Sequence, residues 1–182
     1  MSTPIPGFTP ETDLERRLAR DPVLQEGWAW GEPRRGHPEG SVGAHVADLL
    51  RAIEARQEDP GRRAELRFLS LLHDSLKFQV DDSRPRTGPN HHAARARAVA
   101  EKFTDDQRLL ATIQDHDRPY QLWRKLRRRG EADDDGFDAM LARIPDLPLF
   151  VSFVELDSST EGKNPEPLEW FRDELRRRGK ID

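Results

Sequence analysis

Between its proline and glycine breaks, nearly every segment of this 182-residue chain repeats apolar residues at steps of three and four. Only a helix puts such positions on one face, and a one-sided apolar face must be buried against another element. A helical bundle follows, and the length suits a single domain of the usual size of roughly 150 residues. The apolar content available for its core is low, at 35%, with a mean hydropathy of -0.87. Leu, Ile, Val and Phe still supply 40 of the 182 residues, just above the ~20% level below which chains tend to stay disordered. The expected fold is all-α, a compact multi-helix bundle with a heavily charged exterior.

The proline-rich first ten residues read as a loose arm followed by a short helix over about Glu11 to Arg20, so that residues 1–26 precede a helical domain over 27–182. Residues 27–40, GWAWGEPRRGHPEG, read as a loop with two tryptophans, after which Gly40 or Ser41 opens the helix SVGAHVADLLRAIEAR. The break Asp59-Pro60-Gly61 starts a helix that reads on through RRAELRFLSLLHDSLKF, and the polar loop DDSRPRTGPN leads to HHAARARAVAEKF. Thr104 is a candidate cap for a helix ending near His116. Helices follow in YQLWRKLRRRG, FDAMLARI and PEPLEWFRDELRRR. The run FVSFV has strand-like composition, but its place among helices makes it a buried helix.

Lys and Arg number 30 against 34 Asp and Glu, a net charge of -4, and the pI is about 5.9. That balance argues against a dedicated nucleic-acid or membrane binder and favours a small-molecule partner. The basic run RKLRRR at 124–129 could attract phosphate or RNA, but acidic EADDD follows at once and cancels much of its field, so it reads as a solvated helix face, as does the terminal RRRGK. Without cysteine there is no disulfide, no thiolate nucleophile and no Cys-rich zinc module, and any metal must rest on histidine and carboxylate. No apolar run nears the ~20 residues of a membrane span, and MSTPIPGFTPETD lacks a secretory pattern, so the expected location is cytoplasmic.

The helical period also sorts the histidines. His45 falls on the stripe of Val42, Val46, Leu49, Leu50 and Ile53, and His73 falls on that of Leu69, Leu72 and Leu76 with Asp74 at its edge. Positions 92, 96, 99 and 103 read His, Ala, Val, Phe, so His92 rather than His91 points inward. Leu109 and Ile113 lead to His116, and Phe150, Phe153 and Val154 lead to Asp157. Five helices thus aim ligand-type groups at the interior. Inward carboxylates need a compensating cation, which a divalent ion supplies; hydrogen bonding of Asp to buried imidazolium is the metal-free alternative.

The ordered set His45, His73-Asp74 and Asp157, within LLHDSLK and FVELDSS, resembles the HD-domain metal-dependent phosphohydrolases over roughly residues 37 to 163. HPEGSVGAH resembles the start of the HD domain that accompanies bacterial tRNA nucleotidyltransferases. His92 and His116 match the two extra histidines of the dinuclear branch, which includes dinucleotide and cyclic-nucleotide phosphodiesterases. The usual Gly before the lysine of the motif is Leu76 here, a bulk that can alter how closely a phosphate approaches, and the GYP motif of the cyclic-di-GMP group is missing.

The resemblance implies an all-helical hydrolase of a phosphate ester, a nucleotide or a relative, acting through a metal-activated water. Asp74 would bridge two ions, with His45, His73 and Asp157 completing one sphere and His92 and His116 serving the other. Mixed N/O ligation suits Mn, Fe, Co, Ni or Zn, and Mg where waters complete the shell. Asp74 and Lys77 are the candidate catalytic residues, Lys77 as a point charge on a phosphate oxygen or else a solvated lysine. Arg118 and Lys163 are candidate substrate contacts. Tyr120 and Trp123 read as core aromatics ahead of base-stacking ones. Asp115 and Asp117 read as acceptors that orient His116 or as solvent-facing acids, and Glu39 and His37 as the rim of the site or plain loop. The competing class is a non-catalytic module that holds a metal and a phosphorylated ligand without turnover; a third is an RNA-processing accessory, whose sign would be salt-sensitive RNA binding lost on neutralising residues 124–129.

Overall fold

The computed structural model describes residues 3–34 and 38–182. They form ten α-helices: α1 Asp13–Leu18, α2 Pro22–Ala29, α3 Val42–Arg56, α4 Pro60–Leu72, α5 His92–Ala100, α6 Gln107–Asp115, α7 Arg118–Arg129, α8 Asp134–Leu141, α9 Leu147–Ser158 and α10 Glu166–Arg177. Short 3-10 turns cover Lys77–Gln79 and Gly88–Asn90, and no strand occurs among the described residues. The all-α expectation holds.

Side-chain caps fix where the helices begin. Asp21 and Asp59 each accept two backbone N–H bonds ahead of a proline at the first helical position, and Ser41 accepts from Ala44 at 3.1 Å. Each such cap is worth about 1 kcal/mol. At α6 the cap is Asp106, which accepts from Arg108 at 2.8 Å. Thr104 instead accepts the Asp106 N–H two residues earlier, a local turn rather than the expected cap.

Two packed layers share α9. Leu149, Phe153 and Leu156 join the main core formed with α3, α4, α5 and α6, while Phe150 and Val154 join a second cluster with Phe137, Met140, Phe171 and Leu175. A helix buried on two sides has no polar stripe to spare, which is why FVSFV has strand-like composition and is helical as expected.

Several sequence expectations change. The N-terminal arm is anchored: Ile5 is buried, and Pro4 O lies 2.4 Å from where a Cβ on Gly43 would sit. Arg67 clamps α1 through a buried bidentate pair with Glu15, at 2.7 and 2.9 Å, and a bond to Thr9 O. Residues 27–29 close α2 instead of opening a loop, and fully buried Trp28 donates its indole N–H to Leu71 O at 2.8 Å. The helix α4 stops at Leu72, where Ser75 Oγ donates back to Leu72 O at 2.8 Å, so the His73-Asp74 pair rides on the turn after it. Leu76 is buried in the main core. The terminal basic run is paired, not simply solvated: Arg178 bonds Asp138 at 2.8 Å and lies 4.3 Å from the Phe137 ring centre.

One close approach holds the site together. A Cβ on Gly27 would fall 1.8 Å from Ser75 O, so only glycine lets α2 press against the turn that carries Asp74.

Candidate metal centre

His45 comes from the first turns of α3, His73 and Asp74 from the turn after α4, His92 from the start of α5, His116 and Asp117 from the turn between α6 and α7, and Asp157 from the end of α9. His73 and His116 lie against the Phe153 ring, at 5.2 and 6.5 Å between ring centres. The structure therefore brings His45, His73, Asp74, His92, His116 and Asp157 into one cluster, in which His73 is fully buried.

The ring nitrogens are oriented. His73 Nδ1 donates to Ser70 O at 3.2 Å and His116 Nδ1 donates to Ile113 O at 2.8 Å, which turns both Nε2 atoms toward the cluster. This is the tautomer a metal-binding imidazole needs. Asp74 Oδ2 faces His73 Nε2 at 3.4 Å, and its Oδ1 faces His92 Nε2 at 3.3 Å and His116 Nε2 at 3.6 Å. Asp157 Oδ1 meets His45 Nε2 at 2.9 Å and His73 Nε2 at 3.6 Å, and Glu39 Oε1 stands 3.4 Å from the other His45 nitrogen.

Two donor trios result, His45–His73–Asp74 and Asp74–His92–His116, each with its ligand atoms within 4.8 Å of one another. Asp74 belongs to both. Its Oδ1 and His73 Nε2 are buried and make no hydrogen bond of proper geometry. The separations around them, 3.3 to 3.6 Å, exceed the ~2.7–3.2 Å of a hydrogen bond. They suit atoms that share an ion about 2.0–2.2 Å from each. The cluster can hold a divalent ion.

Protonation follows from the same contacts. Burial opposes charge on His45, but Asp157 and Glu39 outweigh it and raise the imidazole to about 9. His73, His92 and His116 are likewise raised against burial, by Asp74 together with Asp157 or Asp117. Burial works against the Asp74 carboxylate, and Lys77 with His73 overrides it, holding Asp74 well below the usual range; Lys163 and His45 do the same for Asp157. Without a cation the acids keep protons on the imidazoles, and a divalent ion takes the place of those protons.

The cluster floors a cavity of about 1230 Å³. Lys77 lines it but is bonded to Asp74, Lys163 stands 4.0 Å from Asp157, and Arg118 reaches Gln121 Oε1 at 3.3 Å. Tyr120 is 47% exposed on the cavity wall, so the core reading fails for it; Trp123 stacks against it at 5.9 Å. Arg124, Lys125 and Arg128 line the same wall. Asp115 is bonded to Arg143 at 2.6 Å instead of to His116. His91 caps α5 and faces Gln121, and His37 lies outside the described residues.

Asp117 is the residue that helical periodicity misses. Its Oδ2 is 3.2 Å from His92 Nε2, and it forms a further candidate trio with His91 and His92. Burial works against its carboxylate, but the imidazoles of His116 and His92 outweigh that and hold the carboxyl far below its usual range. The acidic residues on either side of His116 are the available signal, and only the fold separates the one that faces the cluster from the one that does not. Compared with known proteins, the chain matches no family model, no curated protein and no solved structure.

Proposed function

We propose that the protein is a metal-dependent phosphohydrolase of the HD type, a phosphatase or phosphodiesterase acting on a nucleotide or related phosphate ester. The observation that carries this reading is the pair of donor trios joined at Asp74, opening into a cavity whose wall bears Arg118 and Lys163. His45, His73, Asp74 and Asp157 would hold one ion, and Asp74, His92 and His116 a second. Bound there, such ions lower the pKa of a water and offset charge on phosphoryl oxygens.

The chain's own groups do the rest. Lys77 is fixed on Asp74, where its charge offsets the carboxylate and faces the reacting phosphate. Arg118 and Lys163 take the remaining phosphoryl oxygens and orient the ester, with electrostatics and positioning as the main sources of rate. Hydrolysis joins a water oxygen to phosphorus, breaks the ester P–O bond and moves a proton to the leaving oxygen. No covalent link to the enzyme is required.

The test is turnover by purified protein loaded with Mn, Co, Ni or Mg across a panel of phosphomonoesters and phosphodiesters. Metal-stimulated release of product, abolished in Asp74→Asn, is the expected result. Metal uptake with no turnover of any ester leaves a binding module and ends the enzyme reading.

A further inference from the structure

The helix α7 begins at the cluster, directly after His116 and Asp117, and runs away from it for 12 residues. Arg118, Gln121, Lys125 and Arg128 follow one another at steps of three, four and three, so they share a face, and all line the cavity. From first to last the row spans about 15 Å at the helical rise. Arg124, also on the wall, lies 5.8 Å from the Tyr120 ring centre.

Apart from Lys125, which pairs with Asp133, these cations have no carboxylate partner, in a chain of net charge -4. Elsewhere Arg62, Arg63, Arg67, Arg108, Arg143 and Arg178 each hold carboxylates. Arginines without a carboxylate in salt-bridge contact also occur elsewhere among the described residues, Arg17, Arg56 and Arg95 for example, but Arg34, Arg118, Arg124 and Arg128 are gathered on this one cavity. The Arg118 Nε is buried without a hydrogen-bond partner. The exposed large hydrophobic side chains among the described residues, Trp30 at 39% and Tyr120 at 47%, stand there too, with Arg34 lying 6.0 Å from the Trp30 ring centre.

Size selects among the phosphate esters. The cavity, about 1230 Å³, exceeds the ~300–1,000 Å³ typical of small-ligand pockets. The basic row is longer than a triphosphate chain, so a mononucleotide leaves Arg124 and Arg128 without an anion. Unmatched guanidinium groups interleaved with exposed rings suit a single strand, whose phosphates take the cations while its bases stack.

We infer that the ester is carried at the end of a short single-stranded oligonucleotide, with its reacting phosphate at the cluster and the next phosphates along α7. About four nucleotides match the row at the ~3.4 Å per-strand spacing of stacked bases. The identity of the reacting group rests on the phosphohydrolase reading; the binding strip does not.

The test is fluorescence-anisotropy binding of phosphorothioate-linked oligothymidylates, from one to about six nucleotides, to the full chain with Mn. Hydrolysis of p-nitrophenyl phosphate and its diester is measured alongside. Affinity is expected to rise about tenfold or more from one to four nucleotides and then level off. In Arg124→Ala/Arg128→Ala the rise flattens and the salt slope drops by about 1.4, at ~0.7 per lost phosphate contact. Both side chains are exposed, so an unchanged Tm verifies that this variant folds, and Tyr120→Ala gives a second, independent loss. Equal affinity for one and four nucleotides, an undiminished rise in the double variant, or tripolyphosphate competing as well as unlabelled tetramer overturns the inference. A rise without hydrolysis of any ester sinks the phosphohydrolase reading and keeps the strip; hydrolysis without a rise does the reverse.

Discussion

His92 and His116 turn their Nε2 atoms toward each other across 3.4 Å, and both face Oδ1 of Asp74. Two nitrogens and a carboxylate oxygen that converge so closely in a buried place are best satisfied by one shared cation. Because Asp74 also faces His73 through its other oxygen, it should matter to both trios. Asp74→Asn is expected to lower the affinity for every bound ion by about 100-fold or more, above the effect of losing a supporting group. His92→Ala is expected to remove one ion and spare the other. Ion counting by mass spectrometry after gel filtration checks both, and an ion count indifferent to His92→Ala would remove the second trio from consideration.

Asp117 sits 3.2 Å from His92 and 3.7 Å from His116, so it either orients the two rings or joins them in binding. Asp117→Asn keeps the shape and removes the charge. It is expected to weaken the ion held by His92 and His116 by about 10–100-fold while that at His45 and His73 keeps its affinity. Calorimetric titration with Mn reads the two sites separately; equal weakening of both would mean a general loss of structure.

How far the site is legible in the sequence follows from where each group sits. His45 and Asp157 are inside helices, and His73, His92 and His116 lie at or beside helix ends, so apolar stripes point to them. Asp117 and Glu39 occupy turns, where no period operates. Trp28 is hidden because the Gly/Pro-rich stretch that follows it outweighs the Asp21-Pro22 start of α2. The basic face of α7 is legible only in part. The acidic run pairs with it once, Asp133 with Lys125, while Asp134 pairs with the distant Arg177 and Arg178, leaving Arg124 and Arg128 exposed without a carboxylate. Pairing of that kind is set by the fold.

The stability of the metal-free protein should depend on pH in a definite direction. His45 is raised from 6.5 to about 9, so its contribution is complete below about pH 6.5 and is lost as pH climbs through about 9. Asp74 and Asp157 are held low, so theirs is present above their ordinary 3.8 and is lost as pH falls through the lowered folded values. Metal affinity runs the other way on the alkaline side, because binding releases the imidazole protons. In EDTA, Tm is expected to fall from about pH 7 to about pH 9.5, while the gap to the Mn-loaded protein widens. Thermal scans at stepped pH read both curves, and a flat EDTA curve would contradict the Asp157–His45–Glu39 linkage.

Gly27 carries no ligand atom, yet its place against Ser75 sets the turn that holds Asp74. At Gly27 a methyl group would overlap Ser75 O at 1.8 Å, and both partners are backbone, so neither can swing aside as a flexible side chain would. Gly27→Ala must push α2 away from the turn that carries Asp74. Overpacking of this sort costs about 1–3 kcal/mol, and each kcal/mol lowers Tm by about 2–4 °C at this chain length. Because Ser75 follows Asp74 directly, the displacement should also reduce affinity for Mn. A control in open space, Gly130→Asn, sits in the left-handed backbone that closes α7, where a Cβ meets nothing within 4 Å, and is expected to leave Mn affinity unchanged while lowering Tm only by the local strain of a left-handed asparagine. If Gly27→Ala lowered Tm but left Mn affinity at the wild-type level, the contact between α2 and the turn would be a packing feature alone.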